Sequence, residues 1–131
     1  MEKWLGRVAL VTGSSSGIGA AIAASLIKHG VNVVGCARNS EKLQENAKKL
    51  KSDKAQFYPV QCDLQKEEDI LSMFEFIKKK FGVLHICVNN AGLGNVSNLL
   101  NGNTKVYSLM HLLIMKFDWI QIFVKIFKFF L

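Results

Sequence analysis

Three glycines in the run Thr12-Gly13-Ser14-Ser15-Ser16-Gly17-Ile18-Gly19 are the first sign of chemistry in this chain. An apolar run precedes them and an alanine-rich run follows, so they read as a strand-to-helix turn. Glycine there lets the backbone bend tightly and approach a ligand closely. The free amides at a helix start face negative charge, and together these features suit a dinucleotide's pyrophosphate. Gly13, Ser15, Ser16, Gly17, Ile18 and Gly19 are the candidate contacts. The Gly-x-x-x-Gly-x-Gly spacing differs from G-x-G-x-x-G and lacks the lysine of an NTPase phosphate loop. Two more polar clusters close apolar runs: Cys62-Asp63-Leu64 and Asn89-Asn90-Ala91-Gly92.

Other reactive residue types offer less. His29, His85 and His111 are scattered and form no ligand pair, so no metal site is expected. Cys36, Cys62 and Cys87 have neither zinc spacing nor the even count of a disulfide framework. They read as small buried hydrophobes in a reducing, cytoplasmic compartment.

The elements that must position the clusters alternate. Arg7–Thr12 is a short apolar strand, and Gly17–His29 a helix with cations in its last turn, closed by Gly30. Val31–Cys36 is a second strand, after which Ser40 is expected to cap a polar helix to about Leu50. Phe57–Cys62 is a third strand, placed at an edge or irregularity by Pro59. Lys66–Phe81 is amphipathic, with Ile70, Leu71, Phe74 and Ile77 as its apolar face. Leu84–Val88 is a fourth strand. Near-continuously apolar strands alternating with helices predict an α/β fold, a doubly wound parallel sheet of Rossmann-like type. Ligand space in such a sheet lies beyond the carboxyl ends of the strands, where all the polar clusters fall.

Composition agrees. The chain has 131 residues, 50% hydrophobic and 21% charged, the balance of a globular domain. Much of the net charge of +7 comes from lysines interleaved with glutamates at helical spacing, which makes solvated helix faces. No arginine cluster with stacking aromatics is present, so no nucleic-acid partner is expected. The N-terminus, Met-Glu-Lys-Trp-Leu-Gly, is not read as a signal peptide.

The motif Thr-Gly-x-x-x-Gly-x-Gly resembles the cofactor loop of the short-chain dehydrogenase/reductase family. Asn89-Asn90-Ala91-Gly92 is similar to the family's N-N-A-G element, which shapes the cofactor cleft and steadies the sheet. Asp63, followed by Leu64, stands where members set an aspartate against adenine. Trp4–Val11 and Glu68–Phe74 are similar to the subgroup of dehydrogenase/reductase member eleven and the insect farnesol dehydrogenases. The resemblance implies reversible hydride transfer between a nicotinamide cofactor and an alcohol or carbonyl, with steroid or isoprenoid substrates in that subgroup. The second strand ends Gly35-Cys36-Ala37-Arg38-Asn39, without the acid that NAD enzymes use on the ribose. Arg38, beside Asn39, can face a 2′-phosphate with its planar fork of donors, which makes NADP the expected cofactor.

The likeness is read through about Lys105, giving an NADP-binding half at residues 1–105 and a tail at 106–131. The family continues to a catalytic serine and Tyr-x-x-x-Lys. Here Tyr58 is followed four residues later by Cys62, and Tyr107 by His111. No catalytic residue is therefore assigned, and the chain is expected to be truncated and inactive. The interface through which intact members oligomerise is expected to be missing too. From Val106 the chain is rich in Ile, Leu, Phe and Met, punctuated by Lys116, Asp118, Lys125 and Lys128. No uncharged stretch there is long enough to span a bilayer, and an aberrant terminus is favoured over an interfacial helix. An oxidoreductase by lineage and a non-catalytic nucleotide-binding or dimer-poisoning short isoform both stay open. Transcripts and mass spectrometry of the natural C-terminus separate them.

Overall fold

A computed structural model of the chain describes residues 2–92. The boundary at Lys105 and the tail from Val106 lie outside the described residues. After a 3-10 turn at Glu2–Trp4, the order is β1 Val8–Thr12, α1 Gly17–Lys28, β2 Asn32–Ala37, α2 Ser40–Lys49, β3 Phe57–Gln61, α3 Glu67–Phe81 and β4 Ile86–Val88. The four strands form one parallel sheet in the order β3-β2-β1-β4. The expected doubly wound order of elements is thus present. Pro59 sits on β3, an edge of the described sheet, where its missing N–H removes no ladder bond.

Period two decides which strand residues meet which helix. Ala9, Val11, Val33 and Phe57 join Ala23 and Ile27 of α1 and Leu43 of α2 in one buried cluster. Val8, Leu10, Val34 and Cys36 alternate with the strand residues of that cluster and are buried as well. On their face of the sheet, Tyr58 of β3 meets Phe81 of α3 edge-on, with ring centroids 5.0 Å apart. Helices therefore cover both faces, which is why every residue of β1 is buried.

Two local expectations need correction. The cap of α2 is Asn39 rather than Ser40: Asn39 is extended and its Oδ1 accepts from the Lys42 amide at 3.1 Å. Ser40 is the first helical residue. On α3 the buried residues are Met73 and Ile77, while Leu71 is 57% exposed. The helix is rotated from the assumed face, which brings Met73 inward at four residues from Ile77. Gly30 does follow α1, at φ +82°, and its amide bonds the Ile27 carbonyl.

His85 ties β4 to β1. Its backbone amide donates to Val8 O at 2.9 Å, and its Nδ1 accepts from the Val8 amide at 3.1 Å. Nδ1 must be unprotonated for this bond. Burial, then the neighbouring Arg7, lower the imidazole pKa from its ordinary 6.5. Below pH 6.5 the unfolded chain therefore takes up a proton before the folded one does. Stability contributed by this contact is complete above that pH and falls as pH drops through the lowered folded value. Substituting Gln for His85 should flatten this part of the acid limb of thermal stability. An unchanged Tm–pH slope between the two proteins would dismiss His85 as its source.

Candidate cofactor site

The carboxyl ends of β1, β2 and β3 lie side by side, with Thr12 in register with Cys36 and Ala37 with Gln61. The glycine loop leaves β1 and is anchored at once. The Gly13 and Ser14 amides donate to Cys36 O at 2.8 and 3.3 Å. Gly13 takes φ +65°, and a Cβ there would stand 2.9 Å from the Ala91 Cα. The loop and the Asn90-Ala91 turn are therefore packed backbone to backbone. Ser14 is buried with its Oγ unpartnered among the described residues. Gly35 leaves room for that hydroxyl, since a Cβ on it would run into Ser14 Oγ and the Phe57 ring.

Thr12 and Asn90 lock the turn after β4. Thr12 Oγ1 accepts from the Asn90 and Ala91 amides, each at 3.0 Å. Asn90 Nδ2 donates to the carbonyls of Thr12 and Gly13, both at 3.2 Å. Asn90 thus spends its side chain on the glycine loop. Gly92 is exposed, and a Cβ on it would meet nothing within 4 Å.

Beyond this locked junction the loop presents donors. Among the described residues, the Ser15 and Ser16 amides have no protein partner. Ser16 precedes α1 in extended conformation and makes no side-chain cap, so the first-turn amides of Gly17 and Ile18 are without a partner among the described residues, while Gly19 is buried against Gly13 and Asn90. Gly17 at φ +60° has open space where a Cβ would stand, and Ile18 is 73% exposed. A row of outward amides at a twelve-residue helix start can receive a phosphate.

Arg38 and Asn39 follow β2 and are exposed. The Arg38 guanidinium has no ion pair among the described residues, while its carbonyl accepts from Gln61 Nε2 at 3.1 Å. Asn39 uses Oδ1 for the α2 cap, and its Nδ2 has no hydrogen bond among the described residues. Asp63 and Leu64, after β3, are half-buried. The Asp63 amide donates to Asp69 Oδ2 at 2.9 Å, and Asp63 Oδ1 accepts from the Gln65 amide at 3.0 Å. The structure brings the glycine loop, Asn90 and Ala91 into direct contact. Arg38, Asn39, Asp63 and Leu64 share the same sheet end, with no hydrogen bond to that junction among the described residues. Thr12, Asn46 and Asp69 complete the scaffold and were not among the expected site residues.

Cys36 and Cys87 offer no nucleophile. The Cys36 thiol donates to Cys62, and that bond and burial raise Cys36 while the same bond lowers Cys62; burial pushes Cys87 up to about 11. Cys36 and Cys62 are packing residues. No helix among the described residues is long and apolar enough to cross a membrane.

Comparison with known proteins agrees with this architecture. The family model for short chain dehydrogenases matches residues 7–115. Dehydrogenase/reductase SDR family member 11 of Gallus gallus is 48% identical over 112 residues, 84% of this chain and 44% of that protein. Farnesol dehydrogenase of Aedes aegypti is 48% identical over 101 residues, 76% of this chain and 41% of that protein. The chain thus spans less than half the length of these curated relatives. Among solved structures, L-sorbose reductase from Gluconobacter frateurii, complexed with NADPH and L-sorbose, superimposes with a TM-score of 0.72. It is 36% identical, over 79% of this chain and 40% of that one. A parallel sheet with a Gly-x-x-x-Gly-x-Gly loop locked to an Asn-Asn-Ala-Gly turn, together with a family match over most of its length, places this chain in the short-chain dehydrogenase family.

Proposed function

We propose that residues 2–92 form the NADP(H)-binding half of an oxidoreductase that moves hydride between the cofactor and an alcohol or carbonyl. The carrying observation is the pairing of loop amides with an arginine at one sheet end, all without a partner among the described residues. The amides of Ser15, Ser16, Gly17 and Ile18 would receive the pyrophosphate where Gly19 lets the helix pack on the loop, Asp63 and Leu64 would border the adenine, and Asn90 and Ala91 would hold the loop in place. Arg38, with Asn39 beside it, would meet the 2′-phosphate. The nicotinamide supplies the hydride when bound. No residue of this sequence is assigned the proton transfer at the substrate oxygen, because no Tyr-x-x-x-Lys occurs in it. The likeness to farnesol dehydrogenase supports an isoprenoid-type alcohol or its carbonyl as the substrate class. Three cysteines without a disulfide among those described support a reducing, cytoplasmic setting.

Fluorescence titration with NADPH and NADH tests the reading. NADPH is expected to bind about tenfold tighter or better, the usual value of a charge-assisted hydrogen bond to phosphate. Arg38→Asp should reverse that order by repelling the phosphate and offering an acceptor to a ribose hydroxyl. Equal affinities for both cofactors in both proteins would remove Arg38 from the site.

A further inference from the structure

Asn46 lies in α2, between Leu43, which is buried against the sheet, and the solvated lysines that end the helix. Its side chain leaves the helix for the glycine loop, where Nδ2 donates to Ser14 O at 3.0 Å and to Ser15 O at 3.2 Å. A trans peptide is planar, so its C=O and the following N–H point in opposite directions. No cis peptide is present among the described residues. Drawing the Ser14 carbonyl toward α2 therefore turns the Ser15 amide away from α2. The Ser15 carbonyl does the same for the Ser16 amide. These two loop amides have no protein partner among the described residues.

The same contact removes a repulsion. Two loop carbonyls left without a donor could swing toward an anionic ligand and place their negative ends against it. Asn46 engages both through one amino group. The helix that carries it begins directly after Arg38 and Asn39, with Asn39 as its cap. Cap Asn39, Leu43 and Asn46 follow at spacings of four and three, so they share one helix face. The helix that begins just after Arg38 thus carries the amide that sets the loop.

We propose that Asn46 is a positioning residue for the pyrophosphate of the dinucleotide, acting through the Ser14 and Ser15 carbonyls. The proposal rests on the cofactor reading above. A merely stabilising asparagine would affect all ligands of the fold alike, whereas an amide-orienting one discriminates by ligand. The test compares NADPH with adenosine 2′-monophosphate, which carries the Arg38-facing phosphate and no pyrophosphate, on the full 131-residue chain.

Asn46→Leu should weaken NADPH about tenfold while adenosine 2′-monophosphate stays within about twofold, the fold-change expected for losing an orienting hydrogen bond. Asn46→Asp keeps the shape but sets an acceptor against two carbonyls, and it should weaken NADPH further with the same ligand split. Equal weakening of both ligands, or none of either, would overturn the proposal. A wild-type chain that binds no NADPH would instead overturn the cofactor reading. The clamp has its own ligand-free readout in the amide resonances of Ser15 and Ser16, which should move in both variants. If they stay in place, the clamp is refuted whatever the cofactor does.

Discussion

Replacing Gly19 by alanine should destabilise the chain by about 1–3 kcal/mol and abolish cofactor binding, although alanine is the better helix former. In an exposed helix interior the exchange would gain about 1 kcal/mol. At Gly19 the new methyl would fall well inside 3.0 Å of the Gly13 carbonyl and of Asn90 Nδ2. The first of these is backbone, and the second is already bonded to Thr12 O and Gly13 O. Neither can swing away, so α1 must back off from the loop. Overpacking of this kind costs roughly 1–3 kcal/mol, and breaking the Asn90 bond to Gly13 adds about another. Steric cost exceeds propensity. Ile18→Ala, one residue earlier at a position 73% exposed, should change stability by no more than about 0.5 kcal/mol. Urea unfolding of the three proteins decides the matter: a Gly19→Ala midpoint equal to wild type would mean that the helix and loop are not in this contact.

How much of this was legible in the sequence follows from what each feature depends on. Strand and helix order depends on local period and on the breaks at Gly6, Gly13 and Gly30, so β1, α1 and β2 could be read within a residue or two. The edge placement of Pro59 depends on one missing donor and was legible as well. The cap of α2 was missed by one residue because Asn39 and Ser40 are both good caps. Only the extended backbone of Asn39 distinguishes them. Met73 was overlooked in favour of Leu71 because both suit an apolar face, and the roll of α3 on the sheet selects between them.

Asn46 shows the limit more sharply. It lies thirty-two residues from Ser14 in sequence. In a helix of Ser, Glu, Lys and Gln it reads as one more solvated polar group. Its partners are carbonyls, which carry no side-chain signature. Asp69 was hidden in the same way: acids in a first turn are expected for the helix dipole, and its bond to the Asp63 amide depends on the path of the loop. What local pattern encodes is the frame, and what long-range backbone contacts encode is the set of groups holding the site in shape.

Thr12 offers the clearest measurement of one such long-range contact. It ends β1 only 2% exposed, and its hydroxyl accepts from two amides, those of Asn90 and Ala91. Valine has nearly the same shape and a higher strand propensity, so packing and propensity both predict that Thr12→Val is harmless or stabilising. The hydrogen bonds predict the opposite. With a methyl in place of the oxygen, two part-buried N–H groups face carbon, at about 1–2 kcal/mol each, the lower part of the range for a group left without a partner. The net expected loss is about 2–4 kcal/mol, a large share of the roughly 5–15 kcal/mol that holds a typical domain folded. Thr12→Ser keeps the oxygen and loses only a methyl, about 1 kcal/mol. Stability should therefore run wild type, then Thr12→Ser, then Thr12→Val, the reverse of strand propensity for the last two. Amide exchange at Asn90 and Ala91 should quicken in the valine protein and stay slow in the serine one. If Thr12→Val proves as stable as Thr12→Ser, the Asn90-Ala91 turn is held by Asn90 Nδ2 alone.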